Sequence, residues 1–225
     1  CGASLVTFRG ERAENQDRAF IAFIPQRRSE QALFVAAILD GMGGMEDGAK
    51  AASIGASIFI QSLAIASEAD LVSRFQTAIS DANEAVWTRM QGRGGTTLTA
   101  VGMTHDGECR GVHVGDSRLY CTDPILCQVT SDDTLGGLLG IDDLGPFDGG
   151  LMQFVGIGEG MMHQTFDLSS DPSETLLLTT DGFHFAADLT SIGSMVGDSE
   201  IGEVLGRSAI GLSVADNATA VIVNR

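Results

Sequence analysis

The stretch 33–44, LFVAAILDGMGG, ends an apolar run with Asp40 and continues into a glycine-rich turn. An earlier apolar run, 19–24, stops at Pro25 and is separated from it by a short polar segment. Two such runs predict a hairpin of buried strands. Asp17 precedes the first strand and Asp40 follows the second, so the hairpin is expected to bring both carboxylates to the same end.

Two later aspartates occupy similar positions. Asp181 follows the apolar run 176–180, and Asp216 lies just before a final apolar run, 218–223. In antiparallel neighbours the end of one strand lies beside the start of the next, so these aspartates are expected at the same rim. An aspartate beside a buried strand is costly unless something uses it. Because Mg²⁺ and Mn²⁺ prefer hard oxygen ligands, the pattern indicates a site for more than one such ion.

The rest of the chain predicts a helix pair between groups of short strands. Residues 49–66 are rich in alanine and isoleucine, and apolar residues from Val72 to Met90 recur at steps of three and four. Glycines at 92, 94 and 95 are expected to end the second helix. Further strands are predicted at 98–103, 111–114, 118–121, 125–129, 164–168, 175–180 and 218–223, with helix within 188–210. This order favours one α+β domain with sheets stacked under helices.

Composition limits the classes of partner. The chain has 225 residues, 44% of them hydrophobic, and a formal net charge of −17. Such a surface repels phosphate backbones, which argues against a nucleic-acid partner. It could attract divalent cations and basic protein segments, or it could simply keep the protein soluble. Polar residues interrupt the stretch 51–66 at helical spacing, so we expect a core helix and no membrane span. The four cysteines lack zinc spacing and favour a reduced, cytoplasmic protein.

Six short motifs follow one another along nearly the whole chain, from about Val6 to Val223. They are Arg12-Ala13-Glu14-Asn15-Gln16-Asp17, Asp40-Gly41-Met42-Gly43-Gly44, Gly95-Thr96-Thr97, Gly115-Asp116-Ser117-Arg118, Thr180-Asp181-Gly182 and Asp216-Asn217. In this order the motifs resemble those of the metal-dependent protein phosphatase family, the type 2C-like serine/threonine phosphatases, in their bacterial form.

The resemblance implies a fold. It is a four-layer α/β/β/α sandwich, in which two antiparallel sheets pack face to face and helices flank them. The whole chain, 1–225, would form one phosphatase domain with a short flap at about 131–150. The aspartates of that flap could attract a basic substrate or simply be solvated.

The resemblance also implies a site for two Mn²⁺ or Mg²⁺ ions at one end of the sandwich. Asp17 and Asp40 would bind and bridge the ions, and Gly41 would offer its backbone carbonyl. Asp181 and Asp216 would complete the shell of the first ion.

The implied activity is hydrolysis of phosphoserine and phosphothreonine in proteins. A hydroxide bridging the two ions would attack phosphorus without a covalent phosphoenzyme. Arg12 would hold the substrate phosphate, because a guanidinium can bind two phosphoryl oxygens at once.

Three residues depart from the family pattern. Gln16 stands where many members have glutamate, so the affinity of the second metal ion is expected to differ. Met42 replaces a histidine found in many eukaryotic members, which leaves a metal-bound water as the hypothetical proton donor to the leaving oxygen. Asp116 matches a ligand of a third metal ion, but its usual acidic partner is Phe185 here, so a third ion is expected to bind weakly if at all.

Two other patterns are interpreted as structural. Gly156-Ile157-Gly158-Glu159-Gly160 superficially resembles a nucleotide-binding loop, but it lacks the strand–loop–helix context and indicates a turn. The four histidines, at positions 105, 113, 163 and 184, are interpreted as core or surface residues.

An active enzyme is the favoured interpretation because all four metal-binding aspartates are present. The alternative is a pseudophosphatase, a regulatory binding module on the same fold, and a phosphatase dedicated to one small regulator is also open. As a bacterial signalling enzyme, the protein would act on phosphorylated proteins and oppose a serine/threonine kinase, as a monomer.

Overall fold

The computed structural model describes residues 2–25, 32–42, 47–66, 70–122, 126–140, 150–169, 174–187 and 215–224. The strands are β1 (Gly2–Phe8), β2 (Arg18–Pro25), β3 (Ala32–Leu39), β4 (Leu98–Met103), β5 (Cys109–Val114), β6 (Arg118–Thr122), β7 (Leu126–Gln128), β8 (Gln164–Asp167), β9 (Thr175–Thr179) and β10 (Ala218–Asn224). The helices are α1 (Gly48–Ile65), α2 (Leu71–Met90), α3 (Leu135–Leu139) and α4 (Asp181–His184).

The strands form two five-stranded antiparallel sheets. The first has the order β1-β10-β9-β6-β7 and the second the order β2-β3-β4-β5-β8. The predicted hairpin is β2 and β3, paired from Arg18↔Leu39 to Pro25↔Ala32. Strand β1 pairs with β10 from Gly2↔Asn224 to Phe8↔Ala218, so the first and last described strands are neighbours.

Apolar residues from both sheets form a core between them. Phe34 and Val101 of the second sheet pack with Leu119, Leu178 and Val221 of the first. A second core joins the other face of the β2–β5 strands to α1 and α2, through side chains such as Phe59 and Phe75. A third apolar cluster covers the outer face of the first sheet and includes Phe183 of α4 and Ile222 of β10.

Helix α1 is a core helix. Over its 18 residues the mean hydropathy is 1.3, so by length and composition it is the one described helix able to cross a bilayer. Phe59 and Leu63 are nevertheless fully buried against the rest of the chain. The polar side chains of two serines are satisfied within the helix itself. The hydroxyl of Ser53 donates to the carbonyl of Ala49, and that of Ser57 donates to the carbonyl of Ser53.

The predicted sandwich of two antiparallel sheets with flanking helices is confirmed. The predicted strands agree with β2 to β10 within two residues at their ends, and the predicted helix pair agrees with α1 and α2. Helix α2 ends at Met90, where Gln91 and Gly92 adopt positive φ angles of 55° and 70°. Strand β1 was not predicted. The helix expected within 188–210 lies outside the described residues, and the predicted flap, 131–150, contains the short helix α3 before undescribed residues 141–149.

We expect Leu178→Ala to destabilise the protein by about 2–5 kcal/mol, because it opens a cavity between the two sheets. Leu178 is fully buried there. Chemical denaturation measures the loss. Met162→Ala, at a side chain that is 67% exposed, is the control and should change stability by less than about 0.5 kcal/mol. Equal effects of the two substitutions would contradict the assigned core.

Candidate metal centre

Asp17 is buried where the loop after β1 enters β2. Only 4% of the residue is exposed to solvent. One carboxylate oxygen, Oδ2, accepts hydrogen bonds from the hydroxyls of Thr180 (3.0 Å) and Thr219 (2.7 Å). Asn15 accepts the backbone N–H of Asp17 at 3.0 Å. The other oxygen, Oδ1, is buried and has no hydrogen-bond partner among the described residues, so it is free to ligate a cation.

The backbone of Asp40 is fixed by the Gly95-Thr96-Thr97 motif. Its carbonyl accepts from the Thr96 hydroxyl at 2.8 Å and from the Thr97 N–H at 2.9 Å, and its own N–H donates to the Thr97 hydroxyl at 2.9 Å. These bonds occupy the main chain of Asp40 and leave its side chain for the site. They give the motif, which has no acidic residue, a positioning role.

Gly41 is glycine because two chain segments close on it. A Cβ atom there would lie 2.3 Å from the carbonyl oxygen of Gly48 and 2.8 Å from that of Gln16. Both neighbours are backbone atoms that cannot rotate away. The loop after β3 therefore packs directly against the start of α1 and the residue before Asp17.

Asp181 and Asp216 are joined by a similar close approach. A Cβ atom on Gly182 would lie 2.1 Å from the carbonyl oxygen of Asn217. The Gly182 N–H donates to Asp181 Oδ1 at 2.5 Å, and the Asn217 N–H donates to Asp216 Oδ1 at 2.7 Å. The start of α4 and the start of β10 therefore carry their carboxylates side by side.

Mutual repulsion and burial raise the pKa values of these acids. Burial raises the pKa of Asp17 to about 6, with Asp181 and Asp216 adding to the shift while the threonine hydroxyls oppose it. Burial raises the pKa of Asp116 to about 7, and the charges of Asp181 and Asp132 add to it. The structure thus gathers carboxyl groups whose ionised forms need a counter-charge.

Asp40 and Asp181 form a hydrogen-bonded acidic pair. Burial, then the charges of Asp17 and Asp181, raise the pKa of Asp40 well above its usual value. Burial also raises the pKa of Asp181, although a hydrogen bond from the Asp40 carboxyl lowers it. Ionising Asp40 is therefore unfavourable unless a positive charge lies beside it. Across the described ranges, no three acidic, histidine or cysteine side chains already form a metal-binding geometry.

Arg12 lies at the exposed rim of this acidic group. Its Nη2 atom is 2.5 Å from Asp216 Oδ2, and its side chain is 49% exposed. The predicted phosphate-binding residue and a predicted metal ligand therefore form an ion pair. The guanidinium supplies positive charge to the rim while about half of the side chain faces solvent.

Asn217 is a positioning residue to which the sequence assigned no role. Its Oδ1 accepts the backbone N–H of Gln16 at 2.8 Å, and its Nδ2 donates to the carbonyls of Arg9 (2.7 Å) and Glu14 (2.9 Å). One buried amide therefore holds both ends of the loop that carries Arg12. Its place in the Asp216-Asn217 motif was the only signal in the sequence.

The residues that depart from the family pattern take structural positions. The backbone N–H of Met42 donates to the carbonyl of Gly95 at 3.1 Å. Phe185 is 75% exposed, and the guanidinium of Arg118 lies 5.4 Å from its ring centroid. Arg118 also pairs with Asp132 at 2.7 Å. An aromatic–cation contact therefore occupies the position of the missing acid beside Asp116.

Two histidines are structural, as predicted. His113 is fully buried between the Thr99 hydroxyl (2.8 Å) and the carbonyl of Ser131 (3.2 Å). His184 is 6% exposed and lies 3.1 Å from the Thr179 hydroxyl. Burial lowers the pKa of His184 to about 3, with Arg118 adding to the shift. Its imidazole is therefore neutral at neutral pH.

The predicted site residues thus come from distant parts of the chain to one end of the sandwich. Asp17, Asp40, Asp116, Asp181 and Asp216 influence one another electrostatically, and Arg12 joins them through Asp216. Their roles in metal and phosphate binding stay predictions.

No family model and no curated protein sequence matches the chain. Several solved structures do match the chain. The PPM Ser-Thr phosphatase MsPP from Mycobacterium smegmatis, in complex with cacodylate, is 25% identical with a TM-score of 0.83, over 99% of this chain and 97% of that chain. The S. agalactiae serine/threonine phosphatase is 20% identical with a TM-score of 0.85, over 100% and 99% of the two chains.

A third similar structure contains metal. The catalytic domain of the serine threonine protein phosphatase PstP, in complex with 2 manganese ions, is 22% identical with a TM-score of 0.78, over 98% of this chain and 96% of that chain. The fold agrees over almost the full length of each chain. In fold the chain is therefore similar to bacterial serine/threonine phosphatases, one of them a PPM Ser-Thr phosphatase.

Proposed function

We propose that the protein is a Mn²⁺- or Mg²⁺-dependent phosphatase that hydrolyses phosphoserine and phosphothreonine in proteins. The observation that carries the proposal is the convergence of five buried or half-buried carboxyl groups with one exposed arginine at the rim. Carboxylates alone would repel a phosphate ester. Together with divalent cations they would form a site that attracts one.

The oxygen donors present are of the kind that divalent cations prefer, although in the described part of the chain their side chains do not already form a closed metal-binding geometry. The Oδ1 atom of Asp17 is buried without a described partner, which is costly unless a cation takes it. Burial raises the pKa values of Asp17 and Asp40, and neighbouring carboxylates raise them further, so a divalent cation beside them would favour their ionised forms. Asp17, Asp40, Asp181, Asp216 and the carbonyl of Gly41 would hold the ions. Asp116 would contribute to a third only weakly, because Phe185 supplies no carboxylate.

The cations, when bound, would supply Lewis acidity toward the phosphoryl oxygens and acidify water for the attack on phosphorus. The chain itself provides orientation. Thr180 and Thr219 hold one oxygen of Asp17, which leaves the other directed to the site. The hydroxyl contacts to Asp40 act in the same way on its backbone. These fixed donors reduce the rearrangement needed when a substrate arrives.

Arg12 is proposed to bind the phosphate of the substrate. Its loop is held at Arg9, Glu14 and Gln16 by Asn217, so the guanidinium stays near Asp216 although its side chain is half exposed. A guanidinium fork can bind two phosphoryl oxygens and offset their charge. Binding phosphate would compete with the ion pair to Asp216, which would then be freed for a cation.

The proton for the leaving serine or threonine oxygen is proposed to come from water. Met42 has no ionisable group in the place where many relatives have histidine. His184 is neutral and buried, and His113 is fully buried away from solvent. Neither imidazole therefore offers a proton to a substrate near neutral pH.

Three expectations from the sequence stay predictions: a cytoplasmic location, a monomeric state and an opposing serine/threonine kinase. A regulatory module without turnover is the alternative that the first experiment below distinguishes.

With Mn²⁺, the purified protein should dephosphorylate a phosphothreonine peptide, and EDTA should abolish the activity. Asp181→Asn should lower kcat by at least about tenfold to a hundredfold, since even outer-shell metal contacts are worth that much. Phosphate release measures turnover, and circular dichroism checks the fold. A folded wild type that binds the peptide without turnover, with either metal, would identify a regulatory module.

Arg12→Ala should raise KM for the phosphopeptide by about tenfold or more, which corresponds to the loss of a charged hydrogen bond. Mn²⁺ affinity, measured by calorimetry, should stay equal or increase because Asp216 loses its ion pair. Arg9→Ala is the matched control: it removes the same charge from the same loop, and the Arg9 carbonyl that Asn217 uses is retained. Equal effects of both substitutions on KM would refute the specific role of Arg12.

The metal-free protein should lose stability as pH rises from about 4 to about 8. The folded pKa values of Asp17, about 6, and Asp116, about 7, exceed the ordinary value of 3.8. Their contribution is full below the unfolded pKa and is lost as pH rises through the folded values. Thermal unfolding in EDTA should show a shallower pH slope for Asp116→Asn than for wild type. Added Mn²⁺ should stabilise the wild type most at the alkaline end.

An identical slope in wild type and Asp116→Asn would contradict the raised pKa of Asp116. The comparison separates this group from the general repulsion of a chain with a net charge of −17, which both proteins share to within one charge.

A further inference from the structure

A groove outside the acidic centre lies between α2 and the loop after Val155. Its volume is about 430 Å³. Ser80, Asn83, Glu84 and Trp87 line it from successive turns on one face of α2. The loop contributes 158–161, and His163 completes the lining. None of these residues belongs to the proposed phosphatase site.

Trp87 packs against two glycines in this groove, and the residue stays 46% exposed. Its six-membered ring contacts two glycines with positive φ, Gly92 (70°) and Gly158 (87°). A Cβ atom at either glycine would come within 2.8 Å of the indole. Because neither glycine has a Cβ atom, the indole ring can lie directly against the main chain. The remaining surface of the ring faces solvent.

Asn83 fixes the loop that forms the opposite wall. Its Oδ1 accepts the N–H groups of Gly156 (2.8 Å) and Gly158 (3.2 Å), and its Nδ2 donates to the carbonyl of Gly158 at 2.8 Å. The amides that a nucleotide phosphate would need are thus used by Asn83. The glycine-rich segment is a preorganised wall rather than a phosphate cradle, which confirms the turn inferred from the sequence.

The charge of the groove selects its ligand. Glu84 comes from the helix and Glu159 from the loop, and neither forms an ion pair with a described residue. Among the described residues, no lysine or arginine lines the groove. Burial lowers the pKa of His163, so its ring is neutral at neutral pH. A groove lined by an exposed aromatic ring and two carboxylates favours a cation and disfavours an anion.

We propose that this groove binds an arginine or lysine side chain from a basic segment of a partner protein. The cation would lie against Trp87 and donate hydrogen bonds to the carboxylates of Glu84 and Glu159, while its aliphatic stem would cover apolar surface beside Met161. The net charge of −17 would favour the approach of such a segment. This inference is independent of the proposed phosphatase activity.

The single tryptophan makes the test direct, since Trp87 is the only one in the chain. The probe is a blocked, unphosphorylated peptide with two arginines separated by glycines, compared with the same peptide carrying uncharged citrulline. The arginine peptide should change the tryptophan emission saturably, and the citrulline peptide should not. Calorimetry measures the same binding without relying on the fluorophore.

The double substitution Glu84→Gln/Glu159→Gln should weaken arginine-peptide binding by at least about tenfold, because both charged contacts are lost. The control Asp106→Asn/Glu108→Gln removes two charges from the exposed β4–β5 turn and should change affinity by less than about twofold. Trp87→Leu, followed by calorimetry, should also weaken binding. Turnover of a small phosphate ester should be unchanged in the Glu84/Glu159 variant.

Three results would overturn the proposal. One is equal binding of the arginine and citrulline peptides. Another is equal weakening by the two double substitutions, which would indicate general attraction to an acidic protein. The third is the absence of saturable binding by calorimetry.

Discussion

The repulsion among buried carboxyl groups is the constraint around which the described structure is arranged. Asp17 is 4% exposed and lies within electrostatic reach of Asp181 and Asp216. A fold that only needed stability would place neutral residues there. Instead, threonine hydroxyls from the ends of β9 and β10 support one oxygen of Asp17, and close glycine contacts bring the other acids nearby. Bound divalent cations would turn this repulsion into binding energy.

The sequence predicts those parts of the fold that are local. The β2–β3 hairpin follows from two apolar runs, and its geometry places Asp17 and Asp40 at one end. The helix pair follows from apolar periodicity. Strand β1 was missed because its residues are mostly half-buried or exposed and alternate weakly, and its partner β10 lies at the far end of the chain. Such an edge strand is specified by its partner more than by its own pattern.

The candidate site, like the fold, could be predicted from the sequence only in its local parts. Acidic residues in motifs can be recognised one by one, but their supports cannot. Asn217 contacts carbonyls more than 200 residues earlier in the chain, at Arg9 and Glu14, and no local pattern predicts those bonds. The sequence could identify Phe185 as a missing acid. Only the structure shows that Arg118 lies over its ring and also pairs with Asp132.

The pairing of β1 with β10 has a practical consequence for engineering the protein. Phe8 pairs with Ala218 next to the acidic centre, whereas Gly2 pairs with Asn224 at the other end of both strands. At about 3.3 Å per residue, those opposite strand ends lie about 20 Å from the centre. A tag or a fused domain joined there would start remote from the acidic rim.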